Sequence, residues 1–201
     1  MKNLVILGAG TAGTMMANRM VGALPAKEWK VTVIDRDDVH VYQPGLLFLP
    51  FHGYREEEIL KPRGSLIDPA CEYVLGDIDR IDPAAKVVAL EKGRRIGYDI
   101  LVIATGSHIR PEQTPGLTGR HWQKDIFDFY TLEGARNLAK RLDAFEGGRM
   151  VIDTVEMPIK CPVAPLEFAF LADAYFRERG IRDKVELVYA TPLDGAFTKP
   201  K

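Results

Sequence analysis

Residues 4–13 read LVILGAGTAG, an apolar run followed by glycines in the spacing Gly-x-Gly-x-x-Gly. A continuous apolar run indicates a parallel β-strand that is buried on both faces. Residues 11–20 have the pattern of a helix, so the order is strand, glycine turn and helix. In this context Gly8 makes the tight turn, Gly10 lets a pyrophosphate approach the backbone, and Gly13 lets the helix pack closely on the strand.

The helix start and a second strand extend this pattern. Thr11 and Ala12 begin the helix, where free N–H groups and a partial positive charge favour phosphate oxygens. Residues 29–34 are mostly apolar and β-branched, and Asp35 closes them 22 residues after Gly13. An acid at this distance accepts hydrogen bonds from ribose hydroxyls and repels a 2′-phosphate. The alternative is a glycine turn followed by a surface aspartate, but the strands, helix and acid together favour a dinucleotide-binding unit.

Composition limits the class of protein. The chain has 201 residues, of which 46% are hydrophobic and 27% charged, as in ordinary soluble globular proteins. Its formal net charge of −1 gives no reason to expect binding to nucleic acid or to an anionic membrane surface. No secretory leader is evident and no apolar run is long enough to span a bilayer. Two cysteines without metal-ligand spacing predict neither a disulfide scaffold nor a metal site, and a cytoplasmic protein is the default.

The segment from Arg36 to Phe51 is apolar but punctuated by proline and glycine. It is too irregular for a strand and too apolar for a free surface loop, so we expect it to pack over something. It either covers a flat aromatic ligand, with Pro44 as a candidate contact, or closes the core between sheet and helix. These two interpretations are compatible, and both stay open at this point.

Short strands follow in the middle of the chain. Residues 71–76 form one strand, and residues 77–98 have the turns and alternation of a small antiparallel meander. Residues 99–106, DILVIATG, predict another buried parallel strand that ends in a glycine turn. We therefore expect an α/β domain with a parallel sheet and a β-meander.

The glycine motif, the meander and the DILVIATG strand together resemble the flavoprotein disulfide reductases that contain two dinucleotide domains. The resemblance implies a Rossmann-like FAD-binding domain at residues 1–115 and an incomplete second Rossmann-like domain at residues 116–201. It implies that Asp35 binds the FAD ribose and that Arg36 is near the adenosine end. The remaining FAD contacts that it implies are Ile78, through its backbone at the adenine, and the turn Ala104, Thr105 and Gly106.

The second predicted βαβ unit departs from relatives that use NADH or NADPH. A strand at residues 150–155 leads into a turn with three prolines and a cysteine, and no glycine lies between Gly148 and Gly180. Proline donates no N–H, and bulky side chains block the approach of a pyrophosphate to the backbone. We therefore expect that this unit does not bind a nicotinamide cofactor in the usual way.

Residues 160–167, KCPVAPLE, resemble the cysteine segment of sulfide:quinone oxidoreductases and flavocytochrome c sulfide dehydrogenases. The resemblance implies FAD-dependent oxidation of sulfide to sulfane sulfur or polysulfide, with quinone as electron acceptor. Cys161 matches one of two sulfur-carrying cysteines, and the other lies beyond residue 201 in that family. A turn entering a helix, beside Lys160, also favours thiolate over thiol. An inert buried cysteine is the alternative, and Cys71 is interpreted as a core or surface thiol.

Two other functions remain open from the sequence. One is a type II NADH:quinone dehydrogenase-like flavoenzyme, and the other is a non-catalytic FAD-binding module. The chain resembles an N-terminal part of these reductases, so we expect weak FAD retention and little activity from it alone. Peripheral membrane association is expected only for a full-length protein, and a homo-oligomer is possible.

Overall fold

The computed structural model describes residues 1–196. The strands in this range are β1 (Lys2–Leu7), β2 (Trp29–Asp35), β3 (Val39–Val41), β4 (Leu60–Pro62), β5 (Glu72–Leu75), β6 (Ile78–Asp82), β7 (Val87–Leu90), β8 (Arg95–Gly97), β9 (Ile100–Ile103), β10 (Gly148–Asp153) and β11 (Val185–Ala190). The α-helices are α1 (Thr11–Ala23), α2 (Gly45–Phe48), α3 (Glu56–Ile59), α4 (Leu132–Asp143) and α5 (Ala164–Glu178). The predicted α/β class is confirmed.

The chain forms two compact units. The first contains residues 1–41 and 60–108, and the second contains residues 42–59 together with the chain from residue 109 onward. The boundary at residue 115 between an FAD-binding domain and a second Rossmann-like domain stays a prediction.

A four-stranded parallel sheet, in the order β5-β2-β1-β9, organises the first unit. Strand β1 is central, and its residues from Leu4 to Leu7 are buried. Leu4 and Ile6 pack with Ala17 of α1 on one face, whereas Val5 and Leu7 pack with the β6-β7-β8 meander on the other. Burial on both faces explains the unbroken apolar run, because each of these side chains contributes about 1.5–3 kcal/mol when removed from water.

Two predictions about this unit are wrong in detail. Strand β9 is parallel to β1 as expected, but it lies at an edge of the sheet, and Ile100 and Ile103 are 48% and 66% exposed. The segment after β2, predicted to be too irregular for a strand, contains β3, which pairs antiparallel with β4. A three-residue strand has too few positions for alternation to be recognised, so only its partner reveals it.

The second unit contains a parallel pair of strands, β10 and β11, connected through α5. Phe168 and Phe176 of α5 are buried against Leu138 and Leu142 of α4. Thr131 is the N-cap residue directly before α4, and its hydroxyl accepts a hydrogen bond from the Gly134 N–H at 3.0 Å. This side-chain cap satisfies a donor that the helix itself leaves free.

Residues 42–59 pack inside the second unit. The Phe51 ring lies 4.8 Å from that of Phe168, and the Arg136 Nε donates to Glu56 at 2.8 Å. The core-closing role predicted for this segment is therefore confirmed as packing, and its contact with a ligand stays a prediction. Over residues 1–196, no helix is both long and apolar enough to cross a membrane.

Candidate functional site

The turn after β1 contacts the turn after β9. Gly8 has a φ of +93°, and its N–H donates to the Ile34 carbonyl at 2.8 Å. A Cβ on Gly8 would lie 2.5 Å from the Ala104 oxygen and 2.9 Å from the Thr105 Cα. Only glycine fits this position, because both its conformation and its surroundings exclude a side chain. The predicted site residues of the two turns are thus brought together at the carboxyl edge of the sheet.

Gly13 and Gly10 have different roles in the helix that follows. A Cβ on Gly13 would lie 1.8 Å from the Gly8 oxygen, so this glycine permits the close approach of α1 to the turn. A Cβ on Gly10 would meet nothing within 4 Å, and no side chain caps the helix at this residue. Open space at Gly10 and the uncapped N–H groups at Thr11 and Ala12 suit an anionic group, and the phosphates of a dinucleotide fit here.

Asp35, at the end of β2, lies beside the glycine turn. Its side chain is 12% exposed, and its Oδ2 accepts a hydrogen bond from the Ala9 N–H at 2.6 Å. The Oδ1 accepts from the Arg36 N–H at 2.7 Å and contacts the Arg63 Nη1 at 2.6 Å. A carboxylate oxygen accepts more than one hydrogen bond, so Oδ2 retains capacity for a ribose hydroxyl.

The other predicted contacts are distributed over both units. The Arg36 side chain is 76% exposed and lies 3.5 Å from Asp37. Ile78 begins β6 of the meander, two residues after Gly76, whose N–H donates to the Asp35 carbonyl at 2.8 Å. Gly106, exposed with a φ of +72°, follows Thr105, whereas Pro44 precedes α2 in the second unit.

Cys161 lies in the turn between β10 and α5 and is exposed. It has a φ of +56°, which a residue with a side chain rarely adopts. Its carbonyl accepts a hydrogen bond from the Ala164 N–H at 3.1 Å and one from the Tyr130 hydroxyl at 3.3 Å. The alternative interpretation of Cys161 as an inert buried cysteine is therefore wrong about its burial.

Tyr130 was not identified from the sequence, since a single tyrosine in a loop carries no pattern. Burial, and secondarily the neighbouring Cys161 and Tyr189, raises the pKa of Tyr130 to about 12. The phenol therefore keeps its proton at neutral pH and donates to the cysteine turn. Its ring stacks on Phe129 at 5.0 Å, and Phe129 stacks on Phe168 of α5 at 4.7 Å.

Cys71 differs from Cys161 in environment. It is buried in the core between the parallel sheet and α1. Burial, followed by the nearby carboxylate of Asp68, raises the pKa of the Cys71 thiol. A buried thiol with a raised pKa is a poor nucleophile, so the exposed Cys161 is the better candidate for sulfur chemistry. Within residues 1–196, no group of His, Cys, Asp and Glu side chains could hold a metal ion.

Residues 2–152 match the family of pyridine nucleotide-disulphide oxidoreductases. The chain belongs to this family. Sulfide:quinone oxidoreductase, mitochondrial, of Mus musculus is 27% identical over 195 residues, which are 96% of this chain and 43% of that protein. The type II NADH:quinone oxidoreductase of Staphylococcus haemolyticus is 28% identical over 144 residues, 71% of this chain and 34% of that protein.

A solved structure from the same family is also similar. The X-ray structure of the sulfide:quinone oxidoreductase from the hyperthermophilic bacterium Aquifex aeolicus matches with a TM-score of 0.80 at 26% identity. The match covers 98% of this chain and 45% of that one. This pyridine nucleotide-disulphide oxidoreductase chain thus spans less than half the length of the relatives described above.

Proposed function

We propose that the chain is part of an FAD-dependent sulfide:quinone oxidoreductase, in which residues 1–115 belong to the FAD-binding domain and residues 116–201 to a second dinucleotide-type domain. The main support is the exposed Cys161, in a turn where a nicotinamide-binding relative would need glycines. Similarity to the mouse and Aquifex enzymes over nearly the whole chain supports the same reaction. Sulfide and quinone are the proposed substrates, and the proposed location is cytoplasmic, or peripheral on a membrane for the full-length protein.

The proposed roles of the residues follow from their positions. Gly10 and the first turn of α1 would hold the pyrophosphate of FAD, and Asp35 its adenosine ribose. FAD, when bound, supplies a two-electron acceptor that a quinone can reoxidise. Cys161 would carry the sulfur, because its thiolate could form a bond to the sulfur of the substrate if the two electrons released passed to FAD and then to quinone. The Tyr130 hydroxyl donates to the carbonyl of this residue, which itself stays exposed.

Replacement of Gly10 by alanine separates cofactor binding from folding. We expect the free energy of unfolding, measured in urea, to change by less than about 0.5 kcal/mol, because the new Cβ meets no atom of the chain within 4 Å. FAD affinity should fall roughly tenfold or more, since the methyl group occupies the space through which the phosphates approach. Titration with FAD, followed by flavin fluorescence in the protein that spans the full length of the relatives, measures the affinity. Unchanged affinity for FAD would place the pyrophosphate elsewhere.

A type II NADH:quinone dehydrogenase-like enzyme is the second candidate, favoured by the Staphylococcus haemolyticus relative. The two are distinguished by adding sulfide or NADH anaerobically to the FAD-loaded protein that spans the full length of these relatives. We expect sulfide to bleach the flavin at least as fast as the enzyme turns over, and NADH to leave the flavin oxidised. Rapid stoichiometric bleaching by NADH would favour the second candidate. Bleaching by neither donor would favour a non-catalytic FAD-binding module.

A further inference from the structure

Arg63 is a nearly buried cation directly after β4. Its side chain is 15% exposed, and its Nη1 lies 2.6 Å from the Asp35 Oδ1 and 2.9 Å from the Asp37 Oδ1. The same nitrogen donates to the Asp37 carbonyl at 2.8 Å. One guanidinium therefore joins two carboxylates at the end of β2.

The backbone around Arg63 is tied to the same loop. The Arg63 N–H donates to the Asp38 carbonyl at 3.0 Å, and the Gly64 N–H donates to the Asp38 Oδ1 at 2.8 Å. The Tyr73 hydroxyl donates to the Asp37 carbonyl at 3.1 Å, and burial raises the pKa of Tyr73 to about 12, so this donor keeps its proton. The loop from Asp35 to Asp38 is thus held by several donors.

This arrangement fixes the orientation of the Asp35 carboxylate. Arg63 and the Arg36 N–H use Oδ1, so Oδ2 is directed to the Ala9 N–H of the glycine turn. Without Arg63, the nearly buried Asp35 carboxylate would lose its cation and would be repelled by the Asp37 carboxylate, which contacts the same nitrogen and is 45% exposed. An uncompensated charge on a nearly buried carboxylate is costly, so Asp35 would rearrange.

We propose that Arg63 is a positioning residue that aims Asp35 at the adenosine ribose and thereby sets the preference for a ribose with free hydroxyls. The inference rests on the proposed binding of FAD. Because the Arg63 Nη1 contacts Asp35 and Asp37, it is not available to bind a 2′-phosphate. The surrounding carboxylates would also repel a 2′-phosphate. The preference for the hydroxyls therefore depends on a residue that does not itself contact the ligand.

The test compares FAD with its 2′-deoxyadenosine analogue in a protein that carries this chain within the full length of its relatives. We expect the wild-type chain to bind FAD roughly tenfold more tightly than the analogue, as for a hydrogen bond to a charged group. In Arg63→Met this ratio should fall to about twofold or less, because Asp35 is no longer aimed. Arg63→Lys keeps the charge but places its nitrogen on a differently shaped side chain, so it should give an intermediate ratio, which also covers the case in which the methionine variant does not fold.

Arg94→Met is the matched control, since Arg94 pairs with Glu72 at 3.1 Å on the surface of the same unit. It should retain the wild-type ratio. A purely structural role for Arg63 would lower the stability of both its variants, or weaken both ligands equally, and leave the ratio unchanged. That result would overturn the inference while FAD binding stands. If the wild-type protein at the full length of these relatives binds neither ligand, the proposed function fails and the inference fails with it.

Discussion

Replacing Gly13 by alanine is expected to destabilise the folded chain by about 3 kcal/mol or more. The new Cβ would lie 1.8 Å from the Gly8 oxygen and 2.9 Å from the Gly8 carbonyl carbon. Both are backbone atoms, so no flexible side chain can move aside. The helix α1 would have to shift away from β1, and this shift would open the core in which Ala17 and Ile6 are packed. Urea unfolding followed by circular dichroism measures the change.

Gly22→Ala provides the matched control in the same helix. A Cβ on Gly22 meets nothing within 4 Å, and the residue lies in the last turn of α1. Alanine here should leave the stability unchanged or raise it by up to about 1 kcal/mol, because it lowers the entropy of the unfolded chain. A Gly13→Ala variant that unfolds at the wild-type urea concentration would show that α1 does not need its close approach to the turn.

The first β-α-β unit was predictable because each of its features is local in the sequence. The apolar run of β1 and the glycine spacing follow from rules that connect residues a few positions apart, and Asp35 follows from the fixed length of one β-α-β unit, 22 residues after Gly13. The structure places Gly8, Gly13 and Asp35 where these rules put them relative to the turn.

The remaining features depend on contacts between distant residues. Nothing in the sequence around Arg63 indicates that its guanidinium meets Asp35, 28 positions earlier, because β4 and the turn after it carry no periodicity. The contact between Tyr130 and Cys161 joins a loop to a turn in the same way. Exposure of Ile103 was not foreseen because an apolar strand has the same sequence at the edge of a sheet as in its centre.

Cys161→Ser is expected to lower sulfide-dependent quinone reduction by roughly a hundredfold or more, in a protein that carries this chain within the full length of its relatives. In the proposed reaction, a sulfur atom of the protein would bond to the sulfur of the substrate, and the two electrons released would pass to FAD. A serine hydroxyl forms no such bond to sulfur. The FAD spectrum should not change, because Cys161 lies at the carboxyl end of β10 and not in the glycine turn of β1.

Cys71→Ser is the comparison variant, and we expect near wild-type activity from it. Cys71 is buried against the sheet, and burial raises its thiol pKa, so little thiolate forms at neutral pH. Iodoacetamide should accordingly alkylate Cys161 in the native chain and reach Cys71 only after unfolding. Because serine is nearly isosteric with cysteine, loss of activity in Cys161→Ser alone would identify the sulfur atom as the required group. Full activity of Cys161→Ser, or an inactive but folded Cys71→Ser, would contradict the assignment, because the exposed turn at Cys161 would then carry no sulfur chemistry.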